Sequence, residues 1–225
     1  MTALGRRGAA RVEPAGSTVV CVTVIGHHPA ELQRLPEEFR TALSGLRRAR
    51  SRPEITLEEI PAPARLAPYA VALAAEVHEH STDHGAPAGQ ELATGRFILL
   101  HDPAGSPVWN GTFRVVTFIR ASLESDLGND PMVGAVAWTW LVEALESHHA
   151  PYSEAGGTAT RVLSESFGGL AGRPDTIDIE LRASWTPAGP QSTEHLEAWA
   201  DMVCAFAGLP PVPDGVTPLP RIRRN

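Results

Sequence analysis

Residues 93–121 read ATGRFILLHDPAGSPVWNGTFRVVTFIRA. Two apolar runs flank the turn cluster Asp102-Pro103-Ala104-Gly105. That arrangement predicts a long β-hairpin with strands near Gly95–His101 and Val108–Ala121. Asn110-Gly111 suits a bulge in the second strand or, with Trp109, a separate turn. An antiparallel pair of this length is the centre around which the other elements must fit.

Upstream, Pro36 to Arg48 reads as a helix. Pro36 suits the first position, Glu37 and Glu38 complement the positive helix end, and Phe39, Ala42, Leu43 and Leu46 form one stripe. Residues 53–68 read as irregular, because Pro61, Pro63 and Pro68 forbid a helix after the brief alternation of Ile55 and Leu57. From Tyr69 to Val77 apolar residues alternate with period two, which predicts a strand; a helix face through Leu66, Leu73 and Val77 is the competing reading. Residues 78–92 read as a polar loop.

Downstream, Asp130-Pro131 starts a helix running to about His148. Val133, Val136, Ala137, Trp140, Leu141 and Ala144 form an apolar arc, which Trp138, Val142 and Leu145 extend to about 240°, so this helix has a second surface to cover. Two strands follow. Residues 153–167 are broken by Gly156-Gly157, whereas Thr176 to Trp185 alternates cleanly. There Ile177, Ile179, Leu181, Ala183 and Trp185 face inward. Ser192 to Ala207 is the last helix, with Gly208 past its end.

The expected order is αβββαββα. It describes an α+β, two-layer domain with an antiparallel sheet of about five strands and helices on one face. Residues 34–208 form the domain. Residues 1–33 read as a loosely held tail or added strand, and 209–225 as a Pro/Arg-rich tail. The element order is similar to the type III secretion chaperone-like fold, many of whose members are dimers that bind proteins.

Composition narrows the chemistry. The 225 residues contain no lysine, so a Walker-type phosphate lysine and a Schiff-base lysine are excluded. A GC-rich genome is the simplest cause of the bias. Cys21 and Cys204 are the only cysteines, too few for a disulfide framework or a Cys-rich zinc site, and a reducing cytoplasm is the expected compartment. No segment is long and apolar enough to span a bilayer. The net charge is −7, yet Arg6, Arg7 and Arg11 and then Arg221, Arg223 and Arg224 make both ends basic. The acidic body opposes nucleic acid, and a contact there would have to use the tails.

Several clusters invite functional readings. His78, His80 and His84 with Asp83 have the ligand types of zinc or nickel, but their spacing fits no defined motif, and a solvated loop is the simpler reading. The tandem pairs His27-His28 and His148-His149 read as surface residues. Asp178 and Glu180 have the spacing for acid–base work, yet with Arg182 they read more simply as a charge ladder facing water. Cys204 falls on the last helix as core. No catalytic residue, metal or cofactor is expected.

The strings GRFILLHDP, WNGTFRVV and DP…WTWL, within Arg34 to Pro187, resemble the DUF3000 family of uncharacterised actinobacterial proteins. The residues resembling Arg96, Asp102, Trp109, Arg114, Asp130 and Trp138 belong to that family's pattern. The resemblance implies no established activity, and a frequent genomic neighbour of ribonuclease D type hints at RNA metabolism. Binding candidates are Arg96, Asp102, Trp109, Arg114, Arg120 and Trp138, as aromatics beside arginine are common at binding surfaces; the alternative is that they order the hairpin and its junction with the helix. Trp138, Val142 and Leu145 are the interface candidates of a homodimer or of a complex with another protein. A small-molecule or metal-dependent enzyme with a His/Asp/Arg pocket is the second reading, and an RNA accessory factor the third.

Overall fold

The computed structural model describes residues 18–19, 34–78, 90–124, 128 and 130–209. In chain order the elements are β1 (Thr18–Val19), α1 (Glu37–Arg48), β2 (Arg50–Ser51), β3 (Ile55–Ile60), β4 (Tyr69–His78), β5 (Glu91–Ser106), β6 (Gly111–Leu123), α2 (Val133–Ser147), β7 (Tyr152–Ser164), β8 (Thr176–Pro187) and α3 (Thr193–Phe206). β3 to β8 form one six-stranded antiparallel sheet in the order β3-β4-β5-β6-β8-β7, while β1 pairs only with β2. β8 therefore inserts between β6 and β7.

The sheet has one strand more than the sequence reading allowed. Ile55–Ile60 pairs with Ala72–Val77, where an irregular segment was expected. The prolines do what their chemistry requires, since Pro61, Pro63 and Pro68 all fall after the strand. The alternation was masked by Glu59, a carboxylate at a position where Ile55 and Leu57 face the core side. The strand reading of 69–77 holds. Val71, Leu73, Ala75 and Val77 are all buried, whereas Leu66 is exposed on no helix.

The hairpin is real but turns later than expected. Leu99 pairs with Val115 and His101 with Phe113, yet the next pair is Ser106 with Gly111. Residues 102–105 are thus a bulge inside β5, held by the Asp102 carboxylate accepting the Ala104 N–H at 3.0 Å, with Gly105 at φ +74°. The reversal is Pro107–Asn110, where Ser106 C=O accepts from the Trp109 and Asn110 N–H groups and Asn110 adopts φ +53°. Asn110-Gly111 is the stronger reversal signal because asparagine tolerates the left-handed region.

The core lies on one side of the sheet. Phe97, Leu99, Val115, Ile119, Leu181 and Trp185 meet Leu46 of α1, Leu141 of α2 and Trp199 of α3 in one cluster. The helices pack closely over two glycines of the sheet. A Cβ on Gly95 would stand 2.7 Å from the Trp199 ring, and one on Gly157 would stand 2.7 Å from the Arg182 carbonyl and 3.0 Å from Trp138. Two indole N–H groups are satisfied inside the core. Trp199 donates to Thr117 Oγ1 at 2.5 Å, and Trp185 donates to His195 Nδ1 at 3.1 Å. The wide apolar arc of α2 is explained by its two neighbours, α3 and the β7–β8 edge. Among the described residues no helix is long and apolar enough to cross a membrane.

Candidate functional site

The sheet face away from the helices carries three of the six predicted binding residues, Arg96, Arg114 and Arg120. Arg114 lies near one end of it. Its guanidinium donates to the Glu154 carbonyl (2.9 Å), Thr186 Oγ1 (3.0 Å) and Ser184 Oγ (2.6 Å). Thr186 Oγ1 in turn donates to the Trp109 carbonyl at 2.6 Å. Arg114 thus ties the hairpin reversal to β8 and to the bulge in β7, where Glu154 sits at φ +50°. Burial lowers its pKa, and the nearby Glu154 charge opposes that. Trp109 and Arg114 do come together, through Thr186, in a contact that orders the end of the sheet.

Further along the same face, Arg96, Phe118 and Arg182 stand directly opposite one another on β5, β6 and β8. The Arg182 guanidinium lies 5.6 Å from the Phe118 ring centre and pairs with Glu180 at 3.1 Å. Arg120 donates to Asp178 at 2.5 Å, and Ser122 donates to its other oxygen at 2.7 Å. Burial raises the Asp178 pKa, but the hydrogen bonds from Arg120 and Ser122 and the arginine's charge outweigh it and leave it below the ordinary carboxylate value. Both carboxylates are engaged by arginine, as in a charge ladder, but the row does not simply face water as expected, because Asp178 is buried.

Trp138 is on the other side of the sheet. It packs over Gly157, on the face where Ala183 joins the core. The sheet separates it from Arg114, so the binding candidates Trp109 and Arg114 do not share a surface with Trp138. A helix wheel cannot say which sheet face the helix covers. Trp138 and Val142 are half-buried beside the β7 edge, while Leu145 is 1 % exposed inside the chain's own core and cannot serve a second subunit.

That flank is unusually apolar at its surface. Leu163, Phe167 and Leu170 are exposed at the end of β7 and just beyond it, whereas exposed Met132 and Val136 belong to the row of α2 that leads to Trp140 on the α3 side. Arg161 of β7 donates to the Asp130 carbonyl at 3.1 Å, and a Cβ at Gly134 would stand 3.4 Å from that of Ala159, so helix start and strand are adjacent.

A cleft of about 600 Å³ lies between α2 and α3, where none of the predicted binding residues falls. Arg52, Trp140, Glu143, His148 and Asp201 line it, with Ala144, Met202 and Leu209. His148 was read as a surface residue. It is instead half-buried at the end of α2, 2.8 Å from Asp201 and 3.8 Å from Glu197. Glu197 also accepts the Arg50 N–H at 2.8 Å, and Arg52 pairs with Glu54 at 2.9 Å. The sequence signal was the His148 position one residue past the helix end, within reach of the neighbouring α3.

His78 lies 3.9 Å from Glu76; His80, Asp83 and His84 fall outside the described residues, as do His27 and His28. No group of metal-ligating residues occurs among the described residues. Cys204 is fully buried, and that burial pushes its thiol up to about 12, too high for a nucleophile.

A family model described as "Protein of unknown function (DUF3000)" matches residues 35–217, running past Pro187 through α3. No curated protein and no solved structure matches the chain, and the likeness to the type III secretion chaperone fold rests on element order alone.

Proposed function

The chain belongs to the DUF3000 family, and from that premise we propose that it is a non-enzymatic protein-interaction module. The observation that carries this reading is the run of exposed Leu163, Phe167 and Leu170 at the end of β7 and just beyond it. Large apolar side chains gathered on one flank are the usual mark of a surface that meets another protein. Arg114, Arg120 and Arg182 of the open sheet face have partners within the sheet, which favours the ordering role for them over a second binding surface. The test uses the full chain as bait in extract of its native cell, beside the double variant Leu163→Asp, Phe167→Asp. Association with itself or another protein that the variant loses, at unchanged melting temperature, supports the reading. A wild-type chain that stays monomeric and retains nothing the variant does not also retain overturns it.

The α2–α3 cleft favours a second reading, a small-molecule site. Its volume lies in the range typical of ligand pockets, and an indole, a guanidinium, an imidazole and two carboxylates converge on it. Ligand-induced shifts in a metabolite-library thermal screen, abolished by Trp140→Ala, would support it; a library that shifts wild type and variant alike sinks it. An RNA contact would rest on the basic tails, whose arginines lie outside the described residues.

A further inference from the structure

The sheet has two outer strands, and they differ in the properties that govern edge pairing. β3 is six residues long, contains Glu58 and Glu59, and is bracketed by Pro53 and Pro61. Shortness, charge and proline are the devices that stop an edge from recruiting another strand. β7 is different. Beyond the bulge between Ser153 and Gly156 it runs regularly through GGTATRVLS, residues 156–164, against β8. This stretch has no proline and one charge, Arg161, which is turned onto the Asp130 carbonyl of its own chain. Among the described residues β7 pairs on one side only. Its outer row of backbone groups is a template for another strand, and the exposed apolar flank adjoins it.

Resting on the interaction reading above, the geometry points to a second copy of this chain as the occupant. Its β7 pairs antiparallel with the first about a twofold axis at Thr160. The pattern of the strand supports self-pairing. Centred at Thr160, each Thr158 opposes Val162 of the partner subunit, a match of β-branched side chains on the open face, and Thr160 meets its own counterpart. The segment carries no carboxylate that would select a partner of complementary charge. A twofold contact uses the same patch twice and closes, so the free edge is consumed and no filament grows. Strand pairing alone gives little apolar burial. Leu163 and Phe167, with half-buried Trp138 over Gly157, add it from both copies.

The test uses the full chain. Thr160→Cys places two thiols across the axis, where opposed antiparallel residues fall within the Cα separation a disulfide needs. Mild oxidation is expected to convert most of this variant to a covalent dimer, while wild type and the β3-edge control Thr56→Cys are not cross-linked. Thr160→Lys, an exposed substitution, is expected to turn the dimer seen by light scattering into a monomer with an unchanged melting curve. A monomeric wild type at all concentrations overturns the inference, as does a dimer that Thr160→Lys leaves intact and Thr160→Cys does not trap. In either case the interaction reading stands if another protein is captured through Leu163 and Phe167.

Discussion

The Trp185 indole N–H donates to His195 Nδ1 at 3.1 Å inside the core. This bond sets the imidazole's tautomer. Nδ1 is the acceptor, so the proton is on Nε2 and the ring is neutral. Burial pushes the His195 pKa down to about 4, against the opposing pull of Glu194 and the Pro151 carbonyl.

That depression makes stability depend on pH in a defined window. The unfolded chain takes up a proton on this histidine near pH 6.5, and the folded chain resists until about 4. Between those values the unfolded state binds more protons, so folding weakens as pH falls. The contribution of His195 is constant above about 6.5 and declines towards 4, by about 3 kcal/mol in all. Urea denaturation at steps from pH 7 to 4 measures it. In His195→Gln that part of the slope should vanish; an unchanged slope would show that other groups cause it.

Arg114 should matter for order at the sheet's end. Arg114→Ala removes three hydrogen bonds and is expected to cost about 2–3 kcal/mol. Arg114→Lys keeps the charge but lacks the planar fork, so it should recover only part of the loss. Hydrogen exchange at Trp109–Asn110 and at 153–156 should rise together in both variants. Independent behaviour of the two segments would contradict a single anchor.

The Arg120–Asp178 pair predicts a second, more acidic window. Asp178 is held below its ordinary value, so the pair stabilises the fold above the normal carboxylate pKa and loses that effect as pH falls through the lowered one. Arg120→Ala leaves a nearly buried carboxylate with Ser122 alone, and should cost about 1.5–3 kcal/mol near neutral pH. The deficit relative to wild type should shrink as the pH falls through the lowered Asp178 value, as read by chemical denaturation.

Thr117 links β6 to α3 by accepting the Trp199 N–H while its own hydroxyl donates to the Arg96 carbonyl at 2.9 Å. Thr117→Val keeps the shape and strands the indole donor, at about 1–3 kcal/mol. Gly95→Ala presses a methyl into the same ring, with a cost of about 1–3 kcal/mol. Combined, the two should not be additive, because both act on Trp199. Equilibrium unfolding of the single and double variants decides this.

Where one face of an element is uniformly apolar, its state was legible from residues alone. In β8, Ile177, Ile179, Leu181, Ala183 and Trp185 are all buried, as their alternation predicted. β3 was not legible, because Glu59 interrupts the alternation. The hairpin reversal was misplaced because Asp102-Pro103-Ala104-Gly105 has turn chemistry yet is used as a bulge. The candidate sites were read less well for a general reason. Whether Trp138 and Arg114 share a surface, or His148 reaches Asp201, depends on which faces meet across the chain, and local spacing does not carry that information.

The insertion of β8 between β6 and β7 has a consequence for synthesis. When Ser164 has left the ribosome, β7 has been made but the strand that joins it to the sheet has not. A nascent chain ending there would show the whole β6 edge, Val115 to Leu123, that β8 later covers, and would lack the Trp199 that closes over Gly95. The sheet therefore cannot close progressively during translation. Its middle is completed by one of the last segments to emerge, and until then the growing chain presents the open edge of β6 and an unpaired β7 for a chaperone or a neighbouring nascent chain to meet.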